Sequence, residues 1–200
     1  MGYGLKIMVV ADIESKYIWD YFQPDKFQDI DLIISAGDVK AEYLSFLVTM
    51  IKAPLFYVPG NHNDKYQTNP PEGCENIDGK LITYKGIRIM GLGGSKRYNF
   101  GINQYTEREM DKRIKKMSFK LWWNKGVDIL VTHSPALGIG DGEDLPHKGF
   151  KCFFKILDKY EPKYFIHGHQ HLCYGYQPMR VRKYKDTSVI NAYEYYIFEY

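Results

Sequence analysis

The chain has 200 residues, 44% of them hydrophobic and 26% charged. Those are ordinary globular proportions, and the length allows one domain over residues 1–200 with a substantial core. The net charge of +3 is too small to predict a stable nucleic-acid partner. The three cysteines, Cys74, Cys152 and Cys173, are widely spaced and form no CxxC pair, which argues against a disulfide framework. No early segment reads as a leader, and no apolar run approaches the roughly 20 residues a membrane span needs. A cytoplasmic protein with no membrane partner is the expectation.

The elements alternate along the chain. Residues 5–10 read as a strand, and 13–22 as a helix stopped near Pro24. Residues 31–35 read as a strand, 41–51 as a helix and 54–58 as a strand. This βαβαβ order predicts parallel strands with right-handed crossovers. LITYKGIRIMGLGG then predicts a hairpin around Lys85 and Gly86. Residues 105–124 read as a helix, with Thr106 and Glu109 at capping-box spacing. A buried strand at 128–132, a helix at 149–160 and a strand at 163–167 follow. Residues 173–199 alternate like antiparallel strands. Basic residues concentrate at Lys112, Arg113, Lys115 and Lys116, and again at Arg180, Arg182, Lys183 and Lys185; solvated faces are expected there.

Five of the apolar runs end in metal-type ligands. LKIMVVAD ends at Asp12, DLIISAGD at Asp38, PLFYVPGNH at Asn61 and His62, DILVTHS reaches His133, and KYFIHGHQH reaches His169 and His171. Sites in open α/β sheets form at the carboxyl ends of strands, so residues far apart in sequence can converge. Carboxylates suit hard cations such as Mn²⁺ and Mg²⁺, while imidazoles suit Zn²⁺, Fe²⁺ or Ni²⁺. The set is too large for one ion and predicts two divalent metal ions, manganese first, with Fe, Zn, Ni or Mg as alternatives. Asp12 and Asp38 each close an apolar strand, where an unpaired carboxylate is costly to desolvate; a metal would remove that cost.

The motifs Asp12-Ile13-Glu14, Gly37-Asp38, Gly60-Asn61-His62-Asn63, His133 and Gly168-His169-Gln170-His171 resemble, in order, those of the calcineurin-like metallophosphoesterases. The resemblance implies a four-layer αββα sandwich of two mixed β-sheets flanked by helices. It implies hydrolysis of small phosphodiesters or phosphomonoesters by a hydroxide activated between two metals. It also implies roles. Asp38 would bridge the metals, and Asp12 and His171 would hold the first. Asn61, His133 and His169 would hold the second, and His62 would face the leaving group. A non-catalytic scaffold on the same fold and a nuclease are the alternatives; the nuclease would need a basic groove or cap for which 200 residues leave little room.

Two positions depart from the family pattern. Glu14 stands where the family has a histidine; it either ligates the first metal or starts the following helix. Asn63 stands where an acid usually supports the catalytic histidine, with Asp64 next to it as a substitute. In GHQH, His169 and His171 would share one face if the segment were extended. Gly60 and Gly168 are expected to permit tight backbone at the site. Arg97, Tyr98 and Asn99 follow a Gly-rich segment; Arg97 and Asn99 are candidates for substrate binding, and a simple turn is the alternative. Residues 135–148, rich in Gly, Pro and acids, would be either a wall of the site or an exposed loop. His167 is expected to be a core residue and His147 an exposed one.

Overall fold

The computed structural model describes residues 4–172 and 179–200. Its strands form two large sheets. Strands β1 (Lys6–Ala11), β2 (Leu32–Ser35), β3 (Leu55–Tyr57) and β4 (Glu75–Asn76) run parallel, and β13 (Glu194–Glu199) pairs antiparallel with β1 at one edge. The second sheet holds β5 (Leu81–Tyr84), β6 (Ile87–Leu92), β9 (Ile129–Thr132), β10 (Tyr164–His167), β11 (Val181–Tyr184) and β12 (Thr187–Asn191). Its order is β11-β12-β10-β9-β6-β5, with a parallel centre and antiparallel edges. Short strands β7 (Ser95–Lys96) and β8 (Gln104–Tyr105) pair separately.

The alternation of side chains explains the layers. Along β1, Ile7, Val9 and Ala11 enter the core between the sheets, while Met8 and Val10 face outward. That outward face is covered by α1 (Lys16–Asp20) and α2 (Ala41–Ile51), through Ile18, Leu44 and Leu47. In the other sheet Ile129, Val131 and Ile166 meet the inner core. Leu130 and Phe165 pack outward against α3 (Glu107–Trp123) and α4 (Phe154–Tyr160). Central strands covered on both faces read as continuous apolar runs, as parallel strands do. The result is the expected αββα sandwich.

Local differences from the expected elements have physical causes. The first helix begins only at Lys16, because Asp12 adopts a left-handed backbone and Ile13 N–H turns back to the Ala11 carbonyl. The 149–160 helix starts as a 3₁₀ turn at Lys151–Phe153 before α4. The capping box forms as expected: Thr106 Oγ1 accepts from Glu109 N, and Glu109 Oε2 accepts from Thr106 N at 2.7 Å. The C-terminal strands are not one antiparallel run. β11 and β12 form a hairpin, but β12 lies parallel to β10, and β13 crosses to the other sheet. The expected start of that region, including Cys173, lies outside the described residues.

Candidate metal centre

Each predicted ligand sits just past the carboxyl end of its strand: Asp12 after β1, Asp38 after β2, Asn61 after β3, His133 after β9 and His169 after β10. The first three strands belong to one sheet and the last two to the other. Backbone bonds tie these ends together, with Asp12 N donating to the Gly37 carbonyl at 3.0 Å and Gly168 N to the His133 carbonyl at 2.9 Å. Asp12, Asp38 and His169 all have positive φ, at 68°, 59° and 67°. Left-handed backbone is uncommon outside glycine and clusters at functional sites. It also corrects one expectation: the His169-Gln170-His171 segment is bent at His169, so alternation along an extended strand does not set the two rings.

Close approach explains Gly60. A Cβ there would lie 2.1 Å from Asp38 Oδ1 and 2.7 Å from His133 Cε1. Any side chain would displace the groups that make the site.

The hydrogen bonds fix which atoms face inward. His133 Nδ1 lies 2.8 Å from the Ala36 carbonyl, so it carries the hydrogen, and Nε2 faces the site. His169 Nε2 donates to the Pro146 carbonyl at 2.7 Å, which turns Nδ1 inward. Asn61 Nδ2 donates to the Tyr98 hydroxyl at 3.0 Å, which turns Oδ1 inward. His133 Nε2 then lies 2.9 Å from Asn61 Oδ1, 3.1 Å from His169 Nδ1 and 3.1 Å from Asp38 Oδ2. With neutral rings these four atoms would all present lone pairs to one another. The cluster is satisfied only by a cation among them.

In the metal-free chain a proton on His133 would serve as that cation. Burial opposes charge on His133, but the Asp38 carboxylate outweighs it and raises the His133 pKa to about 9. Burial also works to raise Asp38, yet His133 holds it below the usual carboxylate range. Burial pushes His169 down to about 3, so a proton on His133 leaves the second ring neutral. A divalent ion would replace the proton and satisfy all four donors. The ligand atoms of Asp38, His133 and His169 lie within 4.8 Å of one another, a spread compatible with a shared ion. Asp12 is the other buried carboxylate. Its Oδ1 accepts from His169 N at 2.8 Å, its Oδ2 is buried without a partner, and burial raises its pKa to about 7. An orphaned buried carboxylate oxygen beside this cluster fits a second cation.

The remaining sequence candidates are placed as follows. His62 is exposed, and its backbone N–H donates to Asp38 Oδ1 at 2.8 Å; it shares a cleft with Asp38, Glu14, Lys40 and Lys65. Glu14 Oε1 accepts from Lys40 N at 2.8 Å. The first helix starts at Lys16, so Glu14 is not its first residue, and its anchor is the chain entering α2. His171 is exposed, with its ring 5.2 Å from that of Tyr193. Asn63 does not act on His62 as the acid it replaces was expected to. Its Oδ1 accepts from Asp38 N at 2.7 Å and Gly60 N at 2.8 Å, and its Nδ2 donates to the Val39 carbonyl at 3.1 Å. It fastens the Asp38 loop to the Asn61 loop.

Arg97 and Asn99 both have local partners. Arg97 pairs with the capping-box carboxylate of Glu109 at 3.0 Å, and Asn99 Oδ1 accepts from Gly101 N and Gln104 Nε2. Both shape the turn between β7 and β8. The member of that segment that reaches the site is Tyr98. The 135–148 loop forms a wall, with the Pro146 carbonyl on His169 and the His147 carbonyl accepting from Gln170 Nε2 at 2.8 Å. His147 is partly exposed and pairs with Asp144 at 2.6 Å. His167 is buried as expected, and burial lowers its pKa to about 4.

A sequence profile of the calcineurin-like phosphoesterase family matches residues 5–173. The chain belongs to that family. Human metallophosphoesterase domain-containing protein 1 is 26% identical over 175 residues, covering 78% of this chain and 49% of its own length. The chain thus spans about half the length of that relative. The uncharacterized protein MJ1162 of Methanocaldococcus jannaschii is 27% identical, covering 84% of this chain and 80% of its own. The fold is shared with TT1561 of Thermus thermophilus, at 14% identity and a TM-score of 0.63, over 96% of this chain and 90% of that one. No helix among the described residues is long and apolar enough to cross a membrane.

Proposed function

We propose that this chain hydrolyses small phosphodiesters or phosphomonoesters at a centre of two divalent metal ions, with manganese the favoured metal. The observation that carries the reading is the convergence of Asp38 Oδ2, Asn61 Oδ1 and His169 Nδ1 on His133 Nε2 with no neutral way to satisfy them. Those four would hold one ion. Asp12, with its orphaned Oδ2, and His171 would hold the other, Asp38 would be shared, and Glu14 would add its carboxylate. Bound divalent ions would supply a nucleophile from water near neutral pH and offset charge on the phosphoryl group.

The chain's own groups would do the rest. His62, fixed at the rim by its backbone bond to Asp38, would give a proton to the leaving oxygen. Lys40 and Lys65 in the same cleft would attract the anionic substrate. Neither described cysteine suits a nucleophile's role: burial raises Cys74 to about 11 and pushes the Cys152 thiol up as well. The test is metal analysis of the purified protein, with hydrolysis of bis(4-nitrophenyl) phosphate and 4-nitrophenyl phosphate under added Mn²⁺. Asp38→Asn should lower both metal content and kcat, the latter by roughly 10²–10³-fold. Full activity in Asp38→Asn would overturn the proposal, as would wild-type protein that neither binds metal nor hydrolyses either ester.

A further inference from the structure

Helix α3 carries two apolar surfaces, and among the described residues only one is covered. Met110, Ile114, Met117 and Leu121 are buried against the sheet. Phe119, Trp122 and Trp123 stand at its C-terminal end, 68%, 65% and 70% exposed. Their rings form one cluster, with centroids 6.0, 6.2 and 6.3 Å apart. From Lys112 to Lys125 the chain has six basic residues and no acidic one. Arg113 turns inward to Asp78 and the Gly93 carbonyl, and Lys115 pairs with Asp111. Lys112, Lys116, Lys120 and Lys125 are exposed, and at helical spacing Lys112 and Lys116 fall on the side of Phe119 and Trp123. Lys112 and Lys116 also line a shallow groove with Phe100 and Ile102, two further exposed apolar side chains.

We propose that this face of α3 docks on an anionic lipid surface, with the aromatic cluster in the headgroup–acyl boundary and the lysines on acidic headgroups. Trp and Phe flanked by Lys is the chemistry of interfacial anchoring, and it needs no spanning helix. The charge complementarity is one-sided: the chain has no acid from Lys112 to Lys125, and Glu109, which lines the groove with Lys112 and Lys116, is paired with Arg97. Two other occupants fit less well. Single-stranded nucleic acid stacks its bases on available ring faces; these three rings pack against one another. The core of a protein interface is depleted of charge, whereas here lysines interleave with the aromatics. The proposal revises the expectation of no membrane partner, and it explains a basic concentration that catalysis leaves unused.

The experiment is co-sedimentation of the full chain with vesicles of phosphatidylcholine alone and of phosphatidylcholine mixed with phosphatidylglycerol. Tryptophan emission is followed at the same time. The expected result is binding to the mixed vesicles, weakened by salt, with a blue-shifted emission. Phe119→Ser/Trp122→Ser/Trp123→Ser should remove both the binding and the shift. Lys112→Glu/Lys116→Glu/Lys120→Glu should lower partition by about two orders of magnitude. All six side chains are exposed, so melting temperatures should stay near wild type, and a variant that melts lower is replaced by its single substitutions. Equal partition to neutral and mixed vesicles, or no partition, would overturn the proposal. So would a dimer in sedimentation that the aromatic variant dissolves while vesicles are ignored, or binding of an oligonucleotide in place of vesicles.

Discussion

The two halves of the candidate metal centre, one around His133 and one around Asp12, are built differently. Around His133 every ligand atom is aimed by a bond on its far side: the Ala36 carbonyl for His133, the Pro146 carbonyl for His169 and the Tyr98 hydroxyl for Asn61. These groups are buried and converge at about one hydrogen-bond length. Around Asp12 the arrangement is looser. One carboxylate oxygen is buried without a partner, His171 sits exposed beside Tyr193, and Glu14 spends one oxygen on Lys40 N. A centre with one rigid half and one adaptable half should hold its ions unequally, because a preorganised site loses less freedom on binding. The His133 half should fill first.

The largest test of that contrast is His62→Ala. His62 hangs on Asp38 by its backbone alone, so removing the side chain should spare both halves. We expect kcat to fall by roughly 10²–10⁴-fold with metal content unchanged, and by less for a nitrophenol leaving group, which needs little protonation. Loss of metal in this variant would make His62 a ligand. Tyr98→Phe is next. It removes the acceptor that holds the Asn61 amide, so the rigid half should lose about 10–100-fold in metal affinity, read by competition with a chelator. Unchanged affinity would mean that packing alone orients Asn61.

A pH series sharpens the same contrast through stability. Asp12 and His133 both have raised folded pKa values, about 7 and about 9 against 3.8 and 6.5. A raised value means the folded chain holds the proton more tightly, so the stabilisation is present below the unfolded pKa and is lost as pH rises through the folded one. Asp12 loses its contribution from about pH 4 to 7 and His133 from about 6.5 to 9, so between pH 7 and pH 9 the metal-free protein should melt at progressively lower temperature through His133. His167 and His169, lowered to about 4 and about 3, act in the opposite sense but only below about 6.5. Saturating Mn²⁺ should reverse the trend, since metal uptake displaces the proton on His133. A flat metal-free profile from pH 7 to 9 would show that no cation is needed among the four ligand atoms. The smallest effect should come from Glu14→Gln, which keeps an acceptor for Lys40 N. If Glu14 serves the adaptable half, metal stoichiometry drops by a fraction of one ion while the tighter ion stays; if not, stoichiometry holds.

Much of the fold could be read from sequence because its central strands are buried on both faces and appear as unbroken apolar runs. Their ligands follow immediately: Asp12, Asp38, Asn61 and His133 are marked by where the run stops. The helix at Glu107–Trp123 was legible from its capping box. What was not legible depends on side chains bonding to distant backbone. Asn63 fastens the loop of Asp38 and Val39, 25 and 24 residues away, and no local pattern distinguishes that from a missing acid. Tyr98 reaches Asn61 across 37 positions, while its neighbours Arg97 and Asn99 are claimed by Glu109 and Gln104. Three adjacent residues with similar claims on a substrate thus have different fates, decided by partners the motif does not name. The crossing of β13 to the first sheet was hidden for a related reason: alternation marks a strand but not its neighbour.

That crossing has a consequence for biosynthesis. β1 leads into Asp12, yet one of its edges is filled only by β13, in register from Lys6 opposite Glu199 to Ala11 opposite Glu194. Glu194 also accepts a bond from Ser15 Oγ at 2.8 Å, just beyond the Asp12 turn. Within these 200 residues β1 is therefore completed only once 194–199 have been made. A nascent or truncated product lacking 194–199 would present β1 as an open hydrogen-bonding edge, able to recruit the same strand from another molecule. Variants shortened or fused at that end should be judged by their aggregation before their catalysis.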